Sequence, residues 1–209
     1  VSKPALKQKG HLRVVASAEE PSQVLASDAE LIDAFERGDL AVAEQLYDRL
    51  QRVVNATLTK VLGERGQDHD DLVQSAFEQI LGTLAEKKFA RACSLASWAV
   101  AVTTNLALTT IRKRQNERRR IAPVSEIPDT RSSYPGADRR ALLASLRTEL
   151  ARLAPATAEV VVLHEVFGHD LAEIAVLTGL SLSAAQSRLF RGRKELRERL
   201  ESRFPGEIR

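Results

Sequence analysis

The chain is poor in sulfur and has no long apolar run. Among its 209 residues there is one cysteine, Cys93, which excludes an intrachain disulfide and a multi-cysteine zinc site and fits a reducing compartment. Cys93 itself reads as a small packing residue rather than a nucleophile. No stretch approaches the roughly twenty apolar residues of a membrane span, and the first residues lack the apolar core of a signal peptide. A cytoplasmic protein without membrane insertion is therefore expected. Gly-rich phosphate loops, dinucleotide fingerprints and internal repeats are absent, and no segment alternates as a strand does. The net charge is only +3, so any attraction to a polyanion has to come from clustering of the basic residues rather than from their excess.

Catalytic signatures are missing too. The segment HEVFGH, His164 to His169, invites comparison with a metalloprotease motif and fails it. Histidines five apart lie about 140° apart around a helix, and Gly168 ends that helix, so the two cannot share a zinc ion. Asp70 and Asp71 are adjacent and diverge, unlike an acid and a base facing each other across a cleft. The Ser, Cys and His residues form no nucleophile motif. No enzymatic activity, cofactor or metal is expected.

What is present is helical periodicity and a change of composition near the middle. Residues 1–27 mix Lys, Pro, Ser, Gln and Glu without a period and read as a flexible extension. From Asp28 on, Leu31, Ile32 and Phe35 precede a Gly38–Asp39 break. Val42, Leu46, Tyr47, Leu50, Val54, Leu58 and Val61 then mark one face of a long helix that Gly63 and Gly66 end. Asp70 and Asp71 sit where carboxylates cap a helix start, with Leu72, Val73, Phe77, Ile80, Leu81 and Leu84 as its buried stripe. A further helix spans about Leu95 to Arg120, with Trp98, the lone tryptophan, in line with Val102 and Leu106. Residues 121–138 hold Pro123, Pro128 and Pro135 among serines and read as a linker. Beyond it, Arg139 to Leu153 and Thr157 to Phe167 form two more helices. The expectation is an all-α chain of two small helical domains, 28–120 and 139–209, joined by a flexible linker.

The most telling segment is Asp170 to Leu200. Leu171, Ile174, Ala175 and Leu177 repeat at helical spacing and stop at Gly179, the residue type best able to take a positive φ. Ser181 or Ser183 can cap a second helix, whose opening residues Ala184, Ala185, Gln186 and Ser187 are small or polar enough for a major groove. Arg188, Arg191, Arg193, Lys194 and Arg197 follow, and guanidinium groups behind a helix N-terminus suit phosphate contacts. The pattern is that of a helix-turn-helix, with Ser183, Ala184, Gln186, Ser187, Arg188, Arg191 and Arg193 as DNA-facing candidates.

The order of parts resembles a bacterial RNA polymerase sigma factor of the sigma-70 family, extracytoplasmic-function (ECF) group. DAELIDAFERGDLAVAEQLYDRL is similar to the family's first helix pair, and DDLVQSAFEQIL to the helix that docks on the polymerase clamp. The resemblance implies core RNA polymerase, through its clamp and flap regions, as partner, with Asp71, Leu72, Gln74, Phe77 and Leu81 as contacts. SLASWAVAVTTNLALTTIRKRQ resembles the segment that handles the minus-ten element, which implies DNA roles for Trp98, Asn105, Arg112, Lys113 and Arg114. Capturing unstacked bases calls for an aromatic platform beside a basic track, and Trp98 with the run from Arg112 supplies both, although a tryptophan at this spacing also suits a core. The C-terminal domain would read the minus-thirty-five element, and an anti-sigma factor is a further implied partner. The chain departs from the family in several places. Ala96 and Thr104 stand where relatives commonly place arginine, so a weakened polar grip on the minus-ten strand is expected. Ala154, Ala156 and Ala158 replace more polar residues, and Gln186 replaces a frequent lysine with an amide that can pair with adenine. Two other classes remain at this point: a sigma-like regulator that binds polymerase or an anti-sigma factor without initiating, and a conventional helix-turn-helix regulator.

Overall fold

The computed structural model describes residues 26–121 and 137–205. The expected extension, apart from Ala26 and Ser27, and most of the expected linker lie outside these residues. Within them the chain folds into α1 (Asp28–Glu36), α2 (Val42–Leu62), α3 (His69–Ala85), α4 (Leu95–Ile121), α5 (Ala137–Arg152), α6 (Pro155–Glu165), α7 (Leu171–Thr178) and α8 (Leu182–Arg203), and no strand occurs among the described residues. The linker boundaries move accordingly, because α4 takes in Ile121 and α5 begins at Ala137.

Local chemistry explains the helix ends. Ser27, assigned from sequence to the extension, caps α1 in a capping box with Glu30, so that two otherwise orphaned N–H groups are satisfied. α2 stops at Gly63, which takes φ 92° and donates its N–H to Thr59. α3 departs from expectation at its start. Its N-cap is Asp68 and makes no side-chain cap, while Asp70 and Asp71 lie in the first turn. They oppose the helix dipole but cap nothing, and Asp68 is instead engaged by Arg114 of α4. Ser94 Oγ accepts the N–H of Ser97 at 3.0 Å in the first turn of α4.

The apolar stripes meet as their spacing predicts. Leu46, Leu50, Val54 and Leu58 of α2, Ile80 and Leu84 of α3, and Leu108 of α4 are buried to within 1% exposure, which makes α2, α3 and α4 the frame of the N-terminal half. In the C-terminal half α6 lies at the centre, with Val160, Val162 and Leu163 buried, and α7 and α8 pack against it. The two halves are not separate bodies. α4 packs against α5, α6 and α7, and one cluster of buried apolar side chains runs through both halves.

Candidate nucleic-acid interface

The helix-turn-helix is built by three local devices. Asp170 and Glu173 form a capping box that starts α7: the Asp170 carboxylate accepts the Glu173 N–H at 2.8 Å, and the Glu173 carboxylate accepts the Asp170 N–H at 3.1 Å. Gly179 ends α7 at φ 67°, as its position predicts, and donates its N–H to Ala175. Of the two serines that could cap α8, Ser181 does so, accepting the Ala184 N–H at 3.2 Å. Ser183 lies inside the helix.

A fourth device was not read from the sequence. At Gly192 an added Cβ would come within 2.5 Å of Val161 Cγ2 and 2.9 Å of Thr157 Cγ2, so the backbone of α8 rests directly on α6. The signal was a glycine within a helical stripe, since Ala185, Leu189, Gly192, Leu196 and Leu200 form the buried line of α8. This seating turns the opposite side of α8 outward. Ser183, Gln186, Ser187, Arg191 and Arg193 are exposed there, and Ala184 is half-buried. Phe190, at 70% exposure, stands among them. Arg193 is partly occupied, since its guanidinium binds Glu165 at 2.5 Å and approaches His164 Nδ1 at 3.3 Å. His169 pairs instead with Glu173 at 3.3 Å, so the two histidines of HEVFGH serve different neighbours.

Arg188 differs from the rest of the set. It is half-buried, and its Nη1 is shut off from solvent with no hydrogen-bond partner among the described residues. The other candidate track has a counterpart in Arg112 of α4, whose Nε and Nη2 are buried and unpartnered in the same way. Near both lies Glu159 of α6. Burial pushes its carboxyl above the ordinary carboxylate range, while the Arg112 and Arg188 guanidiniums pull it down. Burial in turn lowers the pKa of Arg112, against the attraction of Glu159. Neither arginine lies on an open DNA-facing surface in this arrangement.

The remaining α4 candidates divide. Asn105 and Lys113 are exposed. One Arg114 nitrogen reaches both carboxylate oxygens of Asp68 at 2.6 Å, and this contact holds the Asp68 carboxyl below its usual range. Trp98 is half-buried against Phe89, with ring centroids 4.7 Å apart, so it serves the core on one side. Thr104, expected to weaken the polar grip because it replaces an arginine, is fully buried; a guanidinium there would have to displace core. Ala96, the other replacement, is exposed.

On α3, Asp71 and Gln74 are exposed, and Leu72 and Leu81 are half-buried. Phe77 is a correction to the expected polymerase contacts. At 5% exposure, with its ring 4.4 Å from that of Tyr47, it is a core residue, and the half-exposed Tyr47 presents the aromatic surface at this place.

Comparison with known proteins follows the same division. A family model of sigma-70 region 2 matches residues 46–117, and one of sigma-70 region 4 matches residues 143–196. The ECF RNA polymerase sigma factor SigM of Mycobacterium tuberculosis (strain ATCC 25618 / H37Rv) is 27% identical over 173 residues, covering 81% of this chain and 83% of that protein. The ECF RNA polymerase sigma factor SigE of Mycolicibacterium smegmatis (strain ATCC 700084 / mc(2)155) is 28% identical over 192 residues, covering 89% of this chain and 70% of its own length. A solved structure of CnrH in complex with the cytosolic domain of CnrY aligns with 82% of this chain and 96% of its own, at 23% identity and a TM-score of 0.49.

Proposed function

The chain belongs to the sigma-70 family of RNA polymerase sigma factors, in its ECF group, and from that premise we propose that it binds core RNA polymerase and directs initiation at particular promoters. One observation carries the reading: the two family regions fall, in order, on the two helical halves that the fold builds. A conventional helix-turn-helix regulator has no reason to carry the region 2 half.

The domain assignment is 28–120 for the minus-ten element and 139–209 for the minus-thirty-five element. In the second, exposed Ser183, Gln186 and Ser187 lead the helix into the major groove, and Arg191 and Arg193 take phosphates. Gln186 offers an amide to adenine N6 and N7. In the first, Asn105 and Lys113 are the open groups of α4, and Asp71, Gln74, Leu72 and Leu81 of α3, with Tyr47 beside them, form the polymerase-docking face. The family also implies an anti-sigma factor as a partner. Among the described residues no helix is long and apolar enough to cross a membrane, and the work belongs in the cytoplasm with the polymerase.

Run-off transcription with core polymerase and fragmented genomic DNA tests the proposal. Initiation from a subset of fragments is expected only when the chain is present. Binding to core without initiation from any fragment would favour a polymerase-binding regulator, and neither binding nor initiation would reject the reading.

A further inference from the structure

The base platform expected at Trp98 rests on a loop, and the loop rests on a helix outside the promoter segment. Trp98 lies in the first turn of α4, where its N–H donates to the Ser94 carbonyl at 3.0 Å. One side of its half-buried ring packs on Phe89, which is itself buried at 7% exposure. Phe89 belongs to the connection between α3 and α4, residues 86–94, which contains no glycine. Even so, Lys87 and Arg91, two residues before and two after Phe89, both take φ 55°. Left-handed backbone is disfavoured wherever a Cβ is present and persists only where the surroundings fix it. The seat of Phe89 against Trp98 is therefore set by two bends that something has to hold.

The two bends are held by different means. Lys87 is held by the end of α3: its N–H donates to the Leu84 carbonyl at 2.9 Å, and the Lys88 N–H donates to the Thr83 carbonyl at 3.0 Å. Arg91 is held through its side chain. Nη1 lies 2.5 Å from Asp33 and Nη2 lies 2.9 Å from Glu36, two carboxylates about one turn apart on α1 whose spacing suits the two nitrogens of one guanidinium. Glu36 is mostly covered, so its pair is screened less than an open surface pair. α1 is a firm support, with Leu31, Ile32 and Phe35 buried and its start closed by the capping box of Ser27 and Glu30. A guanidinium gripped by two carboxylates of its own chain is already neutralised, and it has little attraction left for a phosphate.

We infer that Arg91 is a positioning residue for the capture of an unstacked promoter base: by tying the loop to α1 it fixes Phe89 against Trp98, and so sets the ring on which the base stacks. This rests on the reading of Trp98 as a base platform. Arg91 itself touches neither base nor phosphate, and it acts through Phe89. Stacking gains its energy from face-to-face contact and is tolerant of sequence, because every base has a π-face. A platform that tilts or sinks with a loosened loop loses that contact for all bases alike. α1 thereby takes part in handling the single strand without lying in the segment that meets it.

Trp98 is the lone tryptophan, so its emission in the full chain reports the platform directly. Titration with a mixed-sequence single-stranded oligonucleotide is expected to quench that emission in the parent chain as a base stacks on the ring. Arg91→Ala should shift the emission of the free chain, remove most of the quenching and weaken single-strand binding by about five- to tenfold, the lower part of what one stacked base contributes, with the salt slope unchanged. The paired substitution Asp33→Asn with Glu36→Gln leaves Arg91 in place and removes its support. It should give the same losses even though it makes the chain more positive, and it keeps the test usable if Arg91→Ala does not fold. A guanidinium that simply attracts phosphate predicts the reverse: tighter binding in the paired variant and, in Arg91→Ala, a salt slope lower by about 0.7. Either result would overturn the positioning role. Ion pairs that only stabilise the fold would lower the unfolding temperature in both variants while quenching and affinity stay at the parent's values, and that outcome rejects the role as well. No quenching in the parent chain would overturn the platform reading itself, and the role with it. Duplex binding through α8 is the check on folding and should match the parent in both variants.

Discussion

α4 and α8 are both long and both basic toward their C-terminal parts, yet they hold their charge differently. α8 is seated by a glycine against α6, and the side away from that seat carries Ser183, Gln186, Ser187 and Arg191 in solvent. α4 lies between the halves, so its surface is divided among neighbours: Arg114 is committed to Asp68, Arg112 is buried near Glu159, and Lys113 between them is open. A run of basic residues is therefore a reservoir of charge, and the packing decides how much of it is available. On α8 Arg191 and Arg197 are open while Arg188 is half-buried and Arg193 is paired with Glu165, and on α4 only Lys113 of the run from Arg112 to Arg114 is open.

The largest effect that would break this contrast comes from the seat of α8. Gly192→Ala should destabilise the protein by about 1–3 kcal/mol, because the methyl group has to displace Val161 and Thr157 in a packed core. Thermal unfolding monitored by circular dichroism checks it, and an unchanged midpoint would mean that α8 is not held by close approach to α6. Next in size is the difference between an open and a committed arginine. Arg191→Ala should weaken duplex binding across sequences and lower the salt slope by about one. Arg114→Ala should leave that slope nearly as it is, since Arg114 is already neutralised by Asp68. Equal losses in both variants would mean that Asp68 does not neutralise Arg114.

The smallest effects are in pH dependence, and they have opposite signs. Asp68, whose carboxyl is held below its ordinary value of 3.8 by the hydrogen bond from Arg114, contributes stability that is present above that value and lost as pH falls through the lower folded value. Its half-exposed position keeps the contribution small. Glu159 is raised above its ordinary 4.5, first by burial and against the pull of Arg112 and Arg188. It therefore imposes no penalty below 4.5 and a growing one as pH rises through the folded value. Asp68→Asn should lose stability at neutral pH and match the parent chain in strong acid. Glu159→Gln should gain stability at neutral pH and match the parent below pH 4.5. Denaturant titrations across this range distinguish them, and two curves of the same sign would contradict the placement of one carboxylate.

The helices and their ends were legible because they depend on neighbours in sequence. Gly179 stops α7 through its own φ, and the serine just before α8 caps it; only the choice of Ser181 over Ser183 needed the structure. The capping role expected of Asp70 and Asp71 failed by a small displacement, since α3 starts at His69. Site residues were less legible. The phenylalanine at 77 has the same spacing whether it meets a partner or Tyr47, and the threonine at 104 gives no sign that its position is buried.

The sequence by itself determined the helical class, the order of the parts and the helix-turn-helix, through periodicity, turn chemistry and family motifs that act within a few residues or along the chain. Tertiary structure alone decided which basic groups are free. Burial and charge pairing depend on side chains brought together from distant segments, as Arg112, Glu159 and Arg188 are. Linear spacing carries no record of that encounter.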